Sequence, residues 1–172
     1  MDYLCYVIFT ISFLCFLYHT IAHILEHYKK ISESRIIHIG IDISMFVGWF
    51  SYFWLSFSEF QINLSLANYA GLIILIIGFY LFIASGKKVH KRLHTGKGGL
   101  ITDGVYKKIR HPMYFGQILM LIGGPVFGGS LIMLALSPLF IIQLLIWRYM
   151  EEKELMEEFG KEYEEYKKAT WF

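Results

Sequence analysis

Residues 112–147 read PMYFGQILMLIGGPVFGGSLIMLALSPLFIIQLLIW, 36 residues without an Asp, Glu, Lys, Arg or His. As a single helix this run would be about 54 Å long, far beyond the roughly 30 Å hydrocarbon core of a bilayer. It must therefore turn back on itself. GGPVFGGS (123–130), with four Gly and a Pro, is the expected turn. The limbs are unequal: Pro112–Ile122 gives only about 16 Å of helix and Leu131–Trp147 about 25 Å. Pro138 removes one backbone hydrogen bond and is expected to kink the second limb.

Upstream, three segments have the roughly 20-residue apolar length of a spanning helix. They are Tyr3–Leu25, Ile36–Phe57 (interrupted by His38 and Asp42) and Leu66–Ala84. Composition agrees, since 56% of residues are apolar and only 17% charged, against about half and a quarter in soluble domains. The fold is expected to be an all-α integral membrane protein with about five transmembrane helices, the last two forming a helical hairpin. Residues 1–85 would hold the three N-terminal helices. Residues 86–172 would hold a cytoplasmic loop, the hairpin and a C-terminal helix, all within one integrated domain. The N-terminal apolar stretch has no Lys or Arg before it, so it reads as a retained helix rather than a cleaved signal. Cys5 and Cys15 would lie about 15 Å apart along one helix, too far for a disulfide.

The basic residues orient the chain. Lys29, Lys30 and Arg35 follow helix 1; Lys87 to Arg110 lie between helices 3 and 4; Arg148 onward follow helix 5. Five crossings put all 16 Lys and Arg on one side, which the positive-inside rule makes cytoplasmic. The N-terminus is then outside and the C-terminus inside. A net charge of +2 gives no reason to expect a nucleic-acid partner. The segment 151–172 carries Leu155, Met156, Phe159, Tyr163 and Tyr166 on one face of an amphipathic helix. Gly160 is expected to divide it.

Three constellations bear chemistry. In KKIRHPMYFG (107–116), Arg110 and His111 stand before Pro112, a residue suited to the first helical turn. Free N–H groups beside two cationic side chains make an anion site; equally, the same residues could anchor a helix end at the headgroups. GKGGLITDGVY (96–106) is glycine-rich, allowing close approach of backbone to a ligand. Glu151 and Glu152 follow Trp147–Arg148, so the hairpin should bring them near His111. An acidic pair facing a basic pair suits a zwitterion, whereas a solvated charged face is the plainer reading. Finally, His19, His23 and His27, and separately His90 and His94, have the i, i+4 spacing of metal ligands. A metal-dependent membrane oxidoreductase is the alternative they raise; no adjacent His pair supports it, and no metal is expected. Asp42 should face the bundle interior or a cavity.

The stretch LITDGVYKKIRHPMYFG (100–116), then SP (137–138), EExxL (151–155) and FGxEYxxY (159–166), resembles the isoprenylcysteine carboxyl methyltransferases. The related phospholipid methyltransferases share the RHPxY and EE elements. The resemblance covers roughly Gly96–Tyr166 and implies an S-adenosylmethionine-dependent enzyme with a lipid-like or prenylated acceptor. It further implies that Gly98, Gly99, Leu100, Ile101 and Tyr106 line the cofactor, that His111, Pro112, Met113 and Tyr114 hold its amino-acid end, and that Glu151 binds another polar part. Arg148 and Glu152 are the catalytic candidates, Glu152 as base if the acceptor is an amine. The family places an Arg four residues before the first Glu of EE, where this chain has Trp147. A phospholipid or small apolar amine is therefore the alternative acceptor to a prenylcysteine carboxylate.

Overall fold

The structure of the protein, a computed structural model, describes residues 3–27, 35–58, 65–95 and 99–172. In chain order the helices are α1 (Tyr3–His27), α2 (Arg35–Phe57), α3 (Leu66–Thr95), α4 (Pro112–Gly128), α5 (Leu131–Phe159) and α6 (Lys161–Ala169), with a short 3-10 turn at Gly104–Lys107. Tyr3–Ala22, Ile39–Phe57, Leu66–Lys91 and Leu131–Phe159 are long and apolar enough to cross a membrane, and the 17-residue α4 is a shorter apolar helix. The chain is an all-α membrane protein. Among the described residues the one β feature is an isolated parallel bridge between Ile109 and Trp171.

The turn falls later than the sequence suggests. Gly123, Gly124 and Pro125 lie inside α4, which is therefore about 26 Å long. The reversal occurs at Gly129, whose φ of 76° is in the left-handed region that glycine tolerates. Ser130 then caps α5 by accepting from the Met133 N–H. Tertiary packing explains the glycines. A Cβ on Gly116 would stand 2.7 Å from the Gly78 carbonyl, and one on Gly123 would stand 2.6 Å from the Leu75 nitrogen. These glycines let α4 press its backbone against α3, as small residues do between membrane helices.

Each internal proline leaves one carbonyl of the preceding turn without its helical donor. Pro125 frees the Leu121 carbonyl, and the Tyr52 hydroxyl on α2 donates to it at 2.6 Å. Pro138 frees the Leu134 carbonyl, and the Ser137 hydroxyl donates to it at 2.8 Å. Both helices run on unbroken. The core packs Phe16, Tyr52, Leu121, Phe140, Leu144 and Trp147 together. Phe140 meets Phe16 and Tyr52 edge to face at 5.0 and 4.9 Å.

α3 and α5 both overrun the bilayer. The 29 residues of α5 span about 44 Å, so its charged end stands clear of the hydrocarbon. Gly160, with φ 51°, ends it and starts α6, which packs back with Tyr163 and Tyr166 buried. Asp42 departs from expectation: it lies on the exposed side of α2 rather than in the interior. It is about 10 Å along the helix from Arg35, near enough to the helix end for its carboxylate to find the interface.

Candidate active site

The residues just before α4 are tied to Trp171 and Phe172. Arg110 N–H donates to the Trp171 carbonyl at 3.0 Å and His111 N–H to the Phe172 carbonyl at 3.1 Å, while Trp171 N–H returns a bond to Lys108. The Arg110 guanidinium is nearly buried. It donates to Glu152 at 2.9 Å and to the carbonyls of Lys167 and Thr170 at 3.3 Å. Arg148 meets the same Glu152 oxygen at 3.0 Å, and Lys167 meets the other at 3.1 Å. One carboxylate thus gathers three cations from α5, α6 and the residue before His111.

The hairpin brings both acidic residues to His111, as its topology suggested. Nδ1 is 3.8 Å from Glu151 and Nε2 is 3.4 Å from Glu152. The Tyr163 hydroxyl lies 3.3 Å from Nε2. Burial pulls the His111 pKa down to about 4; Glu152 opposes that fall, and Arg148 and Arg110 reinforce it. At neutral pH the imidazole is uncharged, so His111 is a neutral polar group here rather than a cation.

Beside this cluster is a cavity of about 220 Å³. Gly99, Leu100 and Ile101 form one wall, Tyr106 and Arg110 a second, and Glu151, Leu155, Glu158 and Phe159 a third, with Tyr166 closing from α6. Five of the expected cofactor residues therefore converge: Gly99, Leu100, Ile101, Tyr106 and Glu151. Lys88 forms an ion pair with Asp103, which ties the loop to α3. The Tyr166 hydroxyl donates to the Tyr106 carbonyl at 2.6 Å. His111, Pro112, Met113 and Tyr114 are not on the cavity wall but at the start of α4 behind it, where Tyr114 is hydrogen-bonded to Glu151. Gly98 lies outside the described residues. Leu155, Glu158, Phe159 and Tyr166 were not anticipated as lining. The i, i+3 pair Tyr163 and Tyr166 was the available signal, because both fall on the apolar face of the last helix.

Trp147 and Arg148 point in different directions, as about 100° per residue requires. Trp147 faces α1, donating from Nε1 to Thr20 at 2.8 Å and packing 4.5 Å from the His19 ring. Arg148 faces the site. Its Nε is buried without a hydrogen-bond partner, and its guanidinium stacks 4.5 Å over the Phe172 ring. Among the described residues no three His, Cys, Asp or Glu side chains are grouped to hold a metal. The side chains of His23, His27 and His94 lie outside those described.

The class these features define is a membrane-embedded helical bundle with a charged, aromatic-walled cavity at one end. The chain belongs to the family described as "Protein of unknown function (DUF1295)", which it matches over residues 18–170. It is also similar to the probable protein-S-isoprenylcysteine O-methyltransferase of Oryza sativa subsp. indica, 32% identical over 114 residues covering 58% of this chain and 56% of that protein. The Dictyostelium discoideum protein-S-isoprenylcysteine O-methyltransferase is 34% identical over 80 residues, 42% of this chain and 31% of the relative. Methanethiol S-methyltransferase of Pseudomonas deceptionensis is 37% identical over 71 residues, 41% of this chain and 26% of the relative. The chain thus spans about half the length of the rice protein and less of the other two. No solved structure matches. The resemblance carried by the RHPMY and EE stretches agrees with these relatives.

Proposed function

We propose that the chain is an S-adenosylmethionine-dependent methyltransferase acting on a lipid-like acceptor at the cytoplasmic face of a membrane, with carboxyl O-methylation the favoured reaction. The observation that carries this reading is the convergence of Gly99, Leu100, Ile101, Tyr106 and Glu151 on one cavity, with Arg148 held in the adjoining cluster through Glu152. The cavity residues fit the cofactor's chemistry. Two carboxylates suit cationic and hydroxyl groups, Tyr106, Phe159 and Tyr166 suit a flat ring, and the backbone at Gly99 allows close approach. When bound, the cofactor supplies an electrophilic methyl group on a cationic sulfur. His111 stands 3.8 Å from Glu151, and the Tyr114 hydroxyl orients its carboxylate. The one-sided distribution of Lys and Arg supports the cytoplasmic placement.

A carboxylate acceptor is already ionised, so alignment and exclusion of water supply most of what the protein must add. Arg148 Nε is a free donor for such a group. Glu152, held by three cations, is poorly placed to serve as a base, which weighs against an amine. Similarity to a methanethiol S-methyltransferase favours an apolar thiol as the second reading. Transfer of labelled methyl into a total membrane lipid and peptide extract, followed by identification of the product, separates ester, thioether and amine. Calorimetry should show S-adenosylhomocysteine binding to wild type, about tenfold weaker in Glu151→Ala and His111→Ala. No binding by wild type overturns the enzyme reading; unchanged affinity in both variants overturns this cavity.

A further inference from the structure

A second concavity, of about 550 Å³, lies between α2 and α3 with α4 as its floor. Met45, Trp49 and Phe53 line one side and Phe79 and Phe82 the other. Phe53 and Phe79 stack across it at 6.1 Å, so α2 and α3 are bridged at that end by their rings. Apart from the Trp49 indole N–H, Gln117 is the one polar side chain on this lining, and it carries the one side-chain oxygen. It is only 7% exposed, and its Oε1 is buried with no hydrogen-bond partner. Leaving a buried acceptor unmet is unfavourable, a cost that falls away when a ligand brings a donor. Gln117 also lies six residues along α4 from His111, about 9 Å, so the groove approaches the candidate active site from the hydrocarbon side.

We propose that this groove seats the apolar body of the methyl acceptor, and that Gln117 selects molecules carrying a single hydroxyl or N–H donor on an otherwise apolar chain. The identity of the occupant as the acceptor rests on the methyl-transfer reading; the recognition chemistry rests on the groove alone. The aromatic walls bind chain and ring carbon without discrimination. Discrimination comes from Gln117 Oε1, because an ether or a bare hydrocarbon leaves that oxygen unpaired.

The test uses the full chain in lipid nanodiscs and follows quenching of tryptophan fluorescence, since Trp49 lines the groove. Terminally brominated undecanol is compared with its methyl ether, which has the same chain and bromine but no donor. The expected result is saturable quenching, with the alcohol binding several-fold to about tenfold more tightly than the ether. Gln117→Leu should bind both equally, and Met45→Trp, which fills the groove, should abolish saturable quenching by either. Replacing an unpaired buried oxygen by carbon should leave folding intact; if it does not, the alcohol-to-ether ratio in wild type decides. Equal binding of alcohol and ether by wild type, or a preference that survives in Gln117→Leu, overturns the proposal. Donor-selective binding in a protein that transfers no methyl group would overturn the enzyme reading and leave the groove standing.

Discussion

Glu152 is 14% exposed at its side chain and Arg110 is 7%, and the pair is joined at 2.9 Å. Removing the negative partner would strand Arg110 with its charge uncompensated, a change that costs about 3 kcal/mol in buried pairs. Glu152→Gln should therefore lower unfolding stability in detergent by that amount, and equilibrium denaturation measures it. His111 carries a pH signature of the opposite kind. Its pKa falls from 6.5 to about 4 on folding, so between those values the unfolded chain binds a proton that the folded chain refuses. Stability contributed by the neutral imidazole is complete above about pH 6.5 and is lost as pH falls toward 4. Thermal melts across that window should show Tm rising with pH in wild type, with a smaller slope in His111→Gln.

At the level of the helix, two prolines are accommodated without breaking α4 or α5, because each freed carbonyl finds a hydroxyl. The Tyr52 bond to Leu121 joins α2 to α4 across 69 positions of sequence. Tyr52→Phe keeps the ring in the core and removes only that donor. It should destabilise the bundle by about 1 kcal/mol, the scale of interhelical hydrogen bonds in membranes, as read from unfolding of the detergent-solubilised protein. The glycines of 123–130 show the same dependence on a neighbour. Read alone, they are turn formers; in the fold Gly123 presses on Gly71 and Leu75 of α3, Gly124 on Phe53 and Gly128 on Ser56 of α2, and Gly129 alone of the four makes the turn.

For the molecule as a whole, the last residues fasten the charged end together. Trp171 and Phe172 take the amides of Arg110 and His111, ring contacts run from Phe115 to both at 5.0 and 5.3 Å, and Phe172 lies under Arg148. Trp171→Pro removes the N–H that bonds Lys108 and should cost about 1–2 kcal/mol. It should also weaken S-adenosylhomocysteine binding in calorimetry. Trp171→Ala, which keeps that backbone bond, should lose less on both measures.

Hydropathy and length alone determined the all-α membrane class, the apolar helices and the hairpin that carries Glu151 and Glu152 to His111. Those properties are local: burial in lipid depends on runs of apolar residues, and a run too long for the bilayer must fold back. The tertiary structure alone decided where the chain turns, that Asp42 faces outward, that Glu152 is saturated by three cations, and that Tyr166 and the Trp171–Phe172 segment complete the charged end. Each of these depends on a partner distant in sequence, whether a backbone close enough to require glycine, a cation from another helix or a carbonyl needing a donor. No window of sequence contains both members of such a pair.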